Sequence, residues 1–143
     1  MLRFVLILTL MIGLGHSATA QQARQMLNGL RAEQGLGAVK PSTKLEQAAM
    51  AHAMDMSRKG FFAHGGSDGS NVMKRVRRTG YGPCVVAENI GKGQRSLTEV
   101  MGRWAASPGH RKNMLNRRVT EYGLVRAPGD IWVMVLGKPG CRG

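Results

Sequence analysis

Residues 121–136 read EYGLVRAPGDIWVMVL, which is two β-rich runs around a turn sequence. The runs, 122–125 and 131–136, are rich in the Val, Ile, Tyr and Trp residues that strands favour. Between them, Ala127-Pro128-Gly129-Asp130 is made of residue types that favour a turn. The stretch therefore predicts a β-hairpin near the C-terminal end of the chain.

Upstream of the hairpin, apolar residues recur at helical spacing. A first helix is predicted to end at Gly35 and Gly37. A second begins after Ser42, where Thr43 and Glu46 form a capping-box pattern, and ends at Gly60. The inward positions of these two helices are Ala23, Leu27, Leu30, Leu45, Ala49, Ala53 and Met56.

Shorter elements are predicted between the second helix and the hairpin. A third helix runs from about Asn71 to Thr79, residues 85–90 form a short strand, and Ser96 caps a fourth helix. Ser107-Pro108 has the composition of another helix start. In the third helix the residues expected inward are Val72, Met73 and Val76, and those expected mostly outward are Lys74, Arg75, Arg77 and Arg78. Several helices with a short sheet, and no alternating βαβ pattern, predict an α+β domain.

The first twenty residues have the pattern of a cleavable export signal. A basic start at Arg3 precedes the apolar run Phe4 to Leu14, and Ala18-Thr19-Ala20 is a small-x-small site that signal peptidase accepts. The apolar run is about half the length that spans a bilayer, so a retained anchor is the weaker alternative. We expect residues 1–20 to be a signal peptide and residues 21–143 to be one secreted or periplasmic domain.

The chain is strongly basic, with 21 Lys and Arg against 8 Asp and Glu and a formal charge of +13. Removal of the signal takes away only Arg3, so the exported domain keeps +12. Such a charge attracts polyanions, and export makes anionic lipid or an anionic envelope polymer the expected partner. Basic residues cluster at 74–78 and 111–118 without interleaved aromatics, which argues against nucleic-acid recognition. The alternative is that these basic side chains simply lie on water-exposed helix faces and bind no partner.

Cys84 and Cys141 both lie in the predicted exported part of the chain. An even pair in an oxidising compartment is expected to form one disulfide, and two free thiols are the alternative. Closing a loop of this length would stabilise the fold by about 4 kcal/mol.

Four motifs occur in order along the mature chain. They are Phe61-Phe62-Ala63-His64 with Asp68-Gly69, Ala87-Glu88-Asn89-Ile90, the segment Ser107-Pro108-Gly109-His110-Arg111-Lys112-Asn113-Met114-Leu115, and Glu121-Tyr122-Gly123 with Ile131-Trp132-Val133. In this order and spacing, the sequence resembles a short bacterial secreted member of the CAP superfamily (SCP domain), which includes cysteine-rich secretory proteins, antigen five and pathogenesis-related-one proteins. The likeness covers nearly all of residues 22–141. A cysteine just before the AENI segment paired with one near the C-terminus also fits some bacterial members.

The resemblance implies an α-β-α sandwich with a small, mainly antiparallel sheet between helices and a cleft across the sheet. In that family two histidines and two acids meet in the cleft, and some members bind a divalent metal there. By motif, the histidines are His64 and His110 and one acid is Glu88. The region of the second acid here reads Lys74, Arg75, Val76, Arg77. Asp68 is a candidate for that second acid, or for a cap on the following helix.

Three readings of this residue set stay open at the level of sequence. Two imidazoles and a carboxylate suit zinc with an open position for water, so His64, His110 and Glu88 are candidate metal ligands and metal-dependent hydrolysis is conceivable. Glu88 can equally hold loops together with no metal. A Ser–His–Glu triad using Ser67 or Ser107 lacks a nucleophile-elbow pattern, and Ser107 is better explained as a cap. His52, in the second helix, is expected to pack beside the loop.

The function predicted from these observations is binding rather than catalysis. We expect a monomeric, extracytoplasmic protein that binds an envelope component, lipid or polar ligand in the His/Glu cleft. A metal-dependent hydrolase and a purely structural envelope protein are the alternatives. Nothing in the residue pattern names the ligand.

Overall fold

A sheet between two helical layers makes up residues 14–141, the part of the chain that the computed structural model describes; side chains are described from residue 19. The helices are α1 Leu14–Glu33, α2 Thr43–Lys59, α3 Val72–Arg78, α4 Leu97–Ala106 and α5 Pro108–Met114. The strands are β1 Lys40–Pro41, β2 Pro83–Lys92, β3 Glu121–Ala127 and β4 Ile131–Pro139.

The predicted hairpin is confirmed and lies in the middle of the sheet. Its strands β3 and β4 pair antiparallel, with Val125 opposite Val133, around a turn in which Gly129 and Asp130 have positive φ. The strand order is β1-β3-β4-β2, with β2 antiparallel to β4 and the two-residue β1 parallel to β3. The sheet is therefore mainly antiparallel, and β2 is an edge strand.

Both faces of the sheet are covered by helices, which confirms the α-β-α sandwich. Strand β4 is buried from Ile131 to Gly137, and its side chains alternate between the two layers. Trp132, Met134 and Leu136 pack in one core with α1, α4 and α5. Ile131, Val133 and Val135 pack in the other with α2 and α3.

The start of α2 differs from the capping-box prediction by one residue. Ser42, not Thr43, is the N-cap, because its hydroxyl accepts a hydrogen bond from the backbone N–H of Leu45. At the other end, Gly60 caps the helix in the left-handed conformation, as the sequence indicated. The predicted inward positions Leu45, Ala49, Ala53 and Met56 are all buried.

Gly123 fixes how closely α2 approaches the sheet. A Cβ at this position would lie 2.3 Å from the backbone N of Glu46 and 2.5 Å from the carbonyl carbon of Leu45. The α2 backbone therefore rests on β3 where a side chain would stand. This close contact sets the position of the layer that carries His52.

A buried arginine fixes the end of α1 against the end of α5. Arg31 donates from Nε to the carbonyl of Gly37 and from Nη1 to the carbonyls of Met114 and Asn116. These bonds satisfy carbonyls at the C-terminal end of α5, the helix that carries His110.

The predicted disulfide is present between Cys84 and Cys141, with their Cα atoms 4.7 Å apart. It joins the start of β2 to the C-terminal segment of the described chain.

Residues 1–13 of the predicted signal peptide lie outside the described residues, and helix α1 begins at Leu14 and continues through Ala20. Within the described part of the chain, no helix has the length and hydropathy of a membrane span.

Candidate functional site

The centre of the candidate site is the carboxylate of Glu88 on the edge strand β2. This side chain is only 3% exposed, yet both of its oxygens have partners. Oε1 accepts a hydrogen bond from Nδ1 of His64 at 2.8 Å, and Oε2 accepts one from Nη2 of Arg75 at 2.8 Å. A carboxylate in so buried a place needs such partners because an unpaired buried charge is very costly.

The loop that carries His64 is anchored at several points. Asp55 on α2 accepts hydrogen bonds from the backbone N–H and the hydroxyl of Ser67, and these bonds lower the pKa of Asp55. The N–H of Gly66 donates to the carbonyl of Ser70, which closes the loop on itself. The His64 ring is thereby held against Glu88 while 62% of its side chain stays exposed.

Arg75 is the main residue of the site that the sequence did not identify, and the prediction that it faces outward is wrong. Its side chain is 5% exposed. Beside its bond to Glu88, it donates to the carbonyl of Ser70 at 2.9 Å and to the carbonyl of His64 at 3.0 Å. A signal for this was present: Arg75 follows Val72 by three residues and precedes Val76, so it lies next to the inward face of α3.

His52 packs beside the loop as expected, and it also borders the Glu88 cluster. Its side chain is fully buried, with Nε2 at 2.8 Å from the carbonyl oxygen of Ala63 and 4.0 Å from Oε1 of Glu88. Burial lowers the pKa of His52, although the nearby charge of Glu88 opposes that shift. A neutral ring donates from Nε2 to Ala63, and Nδ1 is then a buried acceptor without a hydrogen-bond partner among the described residues.

His110 is positioned by hydrogen bonds between α5 and β2. The side-chain amide of Asn89 donates to the carbonyl of His110, and that of Asn113 donates to the carbonyl of Glu88 and to Oδ1 of Asn89. Burial lowers the pKa of His110, and the neighbouring imidazole of His64 lowers it further. His64 thus contacts Glu88 directly, and His110 lies near enough to His64 for the two rings to interact electrostatically.

The hydroxyl of Ser107 contacts the ring of His110. Ser107 occupies the N-cap position of α5, as predicted, but its side chain makes no capping hydrogen bond. Its Oγ lies instead 2.9 Å from Nδ1 of His110. The hydroxyl thus helps to fix the orientation of the His110 ring.

Asp68 makes its contacts outside this cluster. It accepts hydrogen bonds from the N–H of Ser70 and from the guanidinium of Arg78. Hydrogen bonding with the Ser70 side chain, and then with Arg78, lowers the pKa of Asp68. The N-cap of α3 is Asn71, whose side chain accepts from the N–H of Lys74. Asp68 is therefore not the cap of α3, and its hydrogen bonds within residues 14–141 go to Ser70 and Arg78.

The arrangement does not suit the three-ligand zinc site expected from His64, His110 and Glu88. Both oxygens of Glu88 are engaged, one of them by a guanidinium cation. Two imidazole Nε2 atoms then remain, whereas zinc sites in proteins use three or four protein ligands. In residues 14–141, no group of three or more His, Cys, Asp and Glu side chains is placed to hold a metal ion.

The hydrogen bonds also do not form a Ser–His–Glu relay. Glu88 bonds to the ring of His64, whereas Ser107 bonds to the ring of His110. In a triad, one imidazole joins the carboxylate to the nucleophile. Ser67, the other candidate, contacts Asp55 and Lys59. What the geometry offers is a carboxylate-oriented imidazole, His64, whose Nε2 can accept or donate one hydrogen bond.

Comparisons with known proteins agree with the fold and the motifs. Residues 24–136 match the cysteine-rich secretory protein (CAP) family. The chain is 32% identical over 124 residues to the uncharacterized protein YkwD of Bacillus subtilis; the match covers 85% of this chain and 48% of YkwD, so the chain spans about half the length of that relative.

Two solved structures are similar in fold. One is an extracellular SCP-domain protein of Bacillus anthracis, with a TM-score of 0.80 and 23% identity over 85% of this chain and 41% of that one. The other is an outer surface protein of Borrelia burgdorferi, with a TM-score of 0.80 and 21% identity over 89% of this chain and 97% of that one. Since the family match spans most of the chain and the α-β-α sandwich agrees with it, the chain belongs to the CAP, or cysteine-rich secretory protein, family.

Proposed function

We propose that this protein is an extracytoplasmic, non-catalytic CAP-domain protein that binds a phosphate-bearing component of the cell envelope in the cleft between His64 and His110. The observation that supports the proposal is that both oxygens of the Glu88 carboxylate already accept hydrogen bonds from side chains of the protein, His64 and Arg75. The polar groups left to meet a ligand are therefore imidazole nitrogens rather than a free carboxylate.

Imidazoles in this setting suit an anionic oxygen. The Ser107 hydroxyl can donate to Nδ1 of His110, and in that tautomer Nε2 of the ring carries the proton and can donate to a ligand. His64, whose Nδ1 is held by Glu88, has Nε2 as its second nitrogen for a hydrogen bond to a ligand. The formal charge of +13 adds a long-range attraction for polyanions.

The extracytoplasmic location is supported by independent features. The N-terminal residues have the pattern of an export signal, and the disulfide between Cys84 and Cys141 is of the kind that persists in oxidising compartments. Similar structures come from a protein described as extracellular and one described as an outer surface protein.

The test is binding of the purified protein to vesicles of phosphatidylglycerol and phosphatidylcholine, to lipopolysaccharide and to lipoteichoic acid, with pure phosphatidylcholine vesicles as the neutral control. We expect binding to at least one phosphate-bearing probe that falls at least tenfold in the His64→Ala/His110→Ala variant. The matched control is Arg117→Gln/Arg118→Gln, which removes two charges outside the cleft and should weaken binding only at low salt.

Two outcomes would contradict the proposal. Binding that the histidine variant leaves unchanged and that 0.5 M salt abolishes would reduce the interaction to non-specific charge attraction. Turnover of an ester, peptide or glycan substrate that is lost in His64→Ala would replace the binding function with an enzymatic one.

A further inference from the structure

The guanidinium of Arg75 joins three separate parts of the chain through oxygen atoms. Nη1 donates to the carbonyl of Ser70, and Nη2 donates to the carbonyl of His64 and to the carboxylate of Glu88. The two carbonyls lie at either end of the 64–70 segment, and the carboxylate lies on strand β2. The buried guanidinium of Arg75 therefore donates hydrogen bonds to three oxygen atoms from different parts of the chain.

Two carbonyls and a carboxylate converging on one point are a set of ligands that proteins also offer to a metal cation. Here the positive charge belongs to the chain itself. We propose that Arg75 is the resident cation of this cleft: it holds the His64 loop on β2 and keeps divalent metal ions away from Glu88. Arg75 is then the residue that excludes divalent metal ions from this CAP cleft.

Two physical effects produce the exclusion. The carboxylate oxygen Oε2, which a metal would need, is already occupied at 2.8 Å by Nη2 of Arg75. A divalent ion bound to that carboxylate would also lie within a few ångströms of the guanidinium, where like charges repel strongly in a buried environment.

The identity of the cation matters as well. Arginine side chains are in general always protonated in proteins. A histidine or lysine in this place could lose its proton and make room for a metal. The inference goes beyond the proposed ligand binding and does not depend on it, since it concerns the inner side of the cleft and rests only on contacts within the chain.

Titration of the purified protein with zinc chloride, followed by isothermal calorimetry, tests the inference. The variants are Arg75→Gln, His64→Ala and Arg75→Gln/His64→Ala. The matched control is Arg78→Gln, an arginine on the same helix that is half exposed and pairs with Asp68. Circular dichroism and a thermal unfolding curve establish that each variant is folded.

We expect no saturable zinc binding by the wild type or by Arg78→Gln. The Arg75→Gln variant should bind zinc saturably, and adding the His64→Ala change should abolish that binding. The thermal midpoint of Arg75→Gln should rise when zinc is added, because a ligand that binds only the native state stabilises that state.

The inference is overturned if Arg75→Gln binds zinc no better than the wild type. It is also overturned if the wild type binds zinc with an affinity that His64→Ala abolishes. If Arg75→Gln does not fold, the thermal midpoints of the wild type and of His64→Ala, measured with and without zinc, test the inference. Zinc that raises the midpoint of the wild type but not of His64→Ala contradicts the exclusion of metal ions. Midpoints that zinc leaves unchanged in both proteins support it.

Discussion

Breaking the buried ion pair between Arg75 and Glu88 should strongly destabilise the protein, whereas removing both charges together should cost much less. The perturbations are Glu88→Gln, Arg75→Met and the double variant. The two side chains are 5% and 3% exposed and meet at 2.8 Å. Each single variant leaves one charged group buried without its partner.

The magnitude follows from these distances and exposures. At an effective dielectric constant of about 20, two unit charges 2.8 Å apart attract by about 6 kcal/mol. Desolvation of the two ions consumes most of this gain, so the intact pair adds little net stability. Removing one partner forfeits the attraction while the other charge stays buried, which costs about 3–5 kcal/mol.

Urea unfolding at pH 7 measures these costs. We expect the unfolding free energy of Glu88→Gln to fall by about 3 kcal/mol, which moves the midpoint by about 1–3 M because m-values of small domains are about 1–3 kcal/mol/M. Arg75→Met should cost slightly more, since the carbonyls of His64 and Ser70 also lose their donor. The double variant should be more stable than the sum of the single changes predicts, by at least about 2 kcal/mol of coupling.

The matched control is the pair Arg78 and Asp68, which joins an arginine on the same helix to a carboxylate but is half exposed. Its disruption should leave the unfolding midpoint nearly unchanged because solvent screens exposed pairs. If the losses of unfolding free energy in Arg75→Met and Glu88→Gln add up in the double variant, Arg75 does not stabilise the buried charge of Glu88. Equal losses of unfolding free energy for the buried and the exposed pair would lead to the same conclusion.

Three further changes test other parts of the structure. Burial lowers the pKa of His52 below its ordinary value of 6.5, so below that pH the unfolded chain binds a proton that the folded chain does not. The free energy of unfolding should be highest above about pH 6.5 and fall below it by up to about 1.4 kcal/mol per pH unit. In urea unfolding from pH 7.5 to 5, His52→Gln should make the free energy of unfolding less dependent on pH. Gly123→Ala should cost about 3 kcal/mol by forcing α2 off the sheet, whereas Gly102→Ala, with open space around it, should stabilise α4 slightly; equal thermal midpoints would contradict the close contact. Cys84→Ser/Cys141→Ser should lose about 4 kcal/mol in urea unfolding, and an unchanged midpoint would deny the disulfide a stabilising role.

The parts of the fold that the sequence predicted correctly are those set by local patterns. The hairpin around Gly129 follows from turn chemistry, and the C-terminal end of α2 follows from the conformational freedom of Gly60. The one-residue error at Ser42 arose because Ser42 and Thr43 are both good caps, and only the observed hydrogen bond to Leu45 distinguishes them. Local patterns fix the type of an element better than its first residue.

The site was predictable where a motif names a residue, and not where partners come from different elements. His64, Glu88 and His110 each lie in a recognisable segment, so their convergence could be expected. The partnership of Arg75 with Glu88 joins residues on α3 and β2, and a basic residue in an amphipathic helix is ordinarily exposed. Likewise, the proximity of Asp68 to His64 in sequence did not reveal that its hydrogen-bond partners are Ser70 and Arg78.

The cleft is built to be rigid before any ligand arrives. One layer holds β2 through Asn113, which donates to the carbonyl of Glu88, and through Trp104, which donates to the carbonyl of Ile90. The other layer holds it through Arg75, which binds the side chain of Glu88 and the loop of His64. A ligand that docks on such a site has few groups left to order, so less of its binding energy is lost. Because the guanidinium of Arg75, rather than a metal ion, holds the loop of His64, the position of His64 does not depend on whether a metal ion is available.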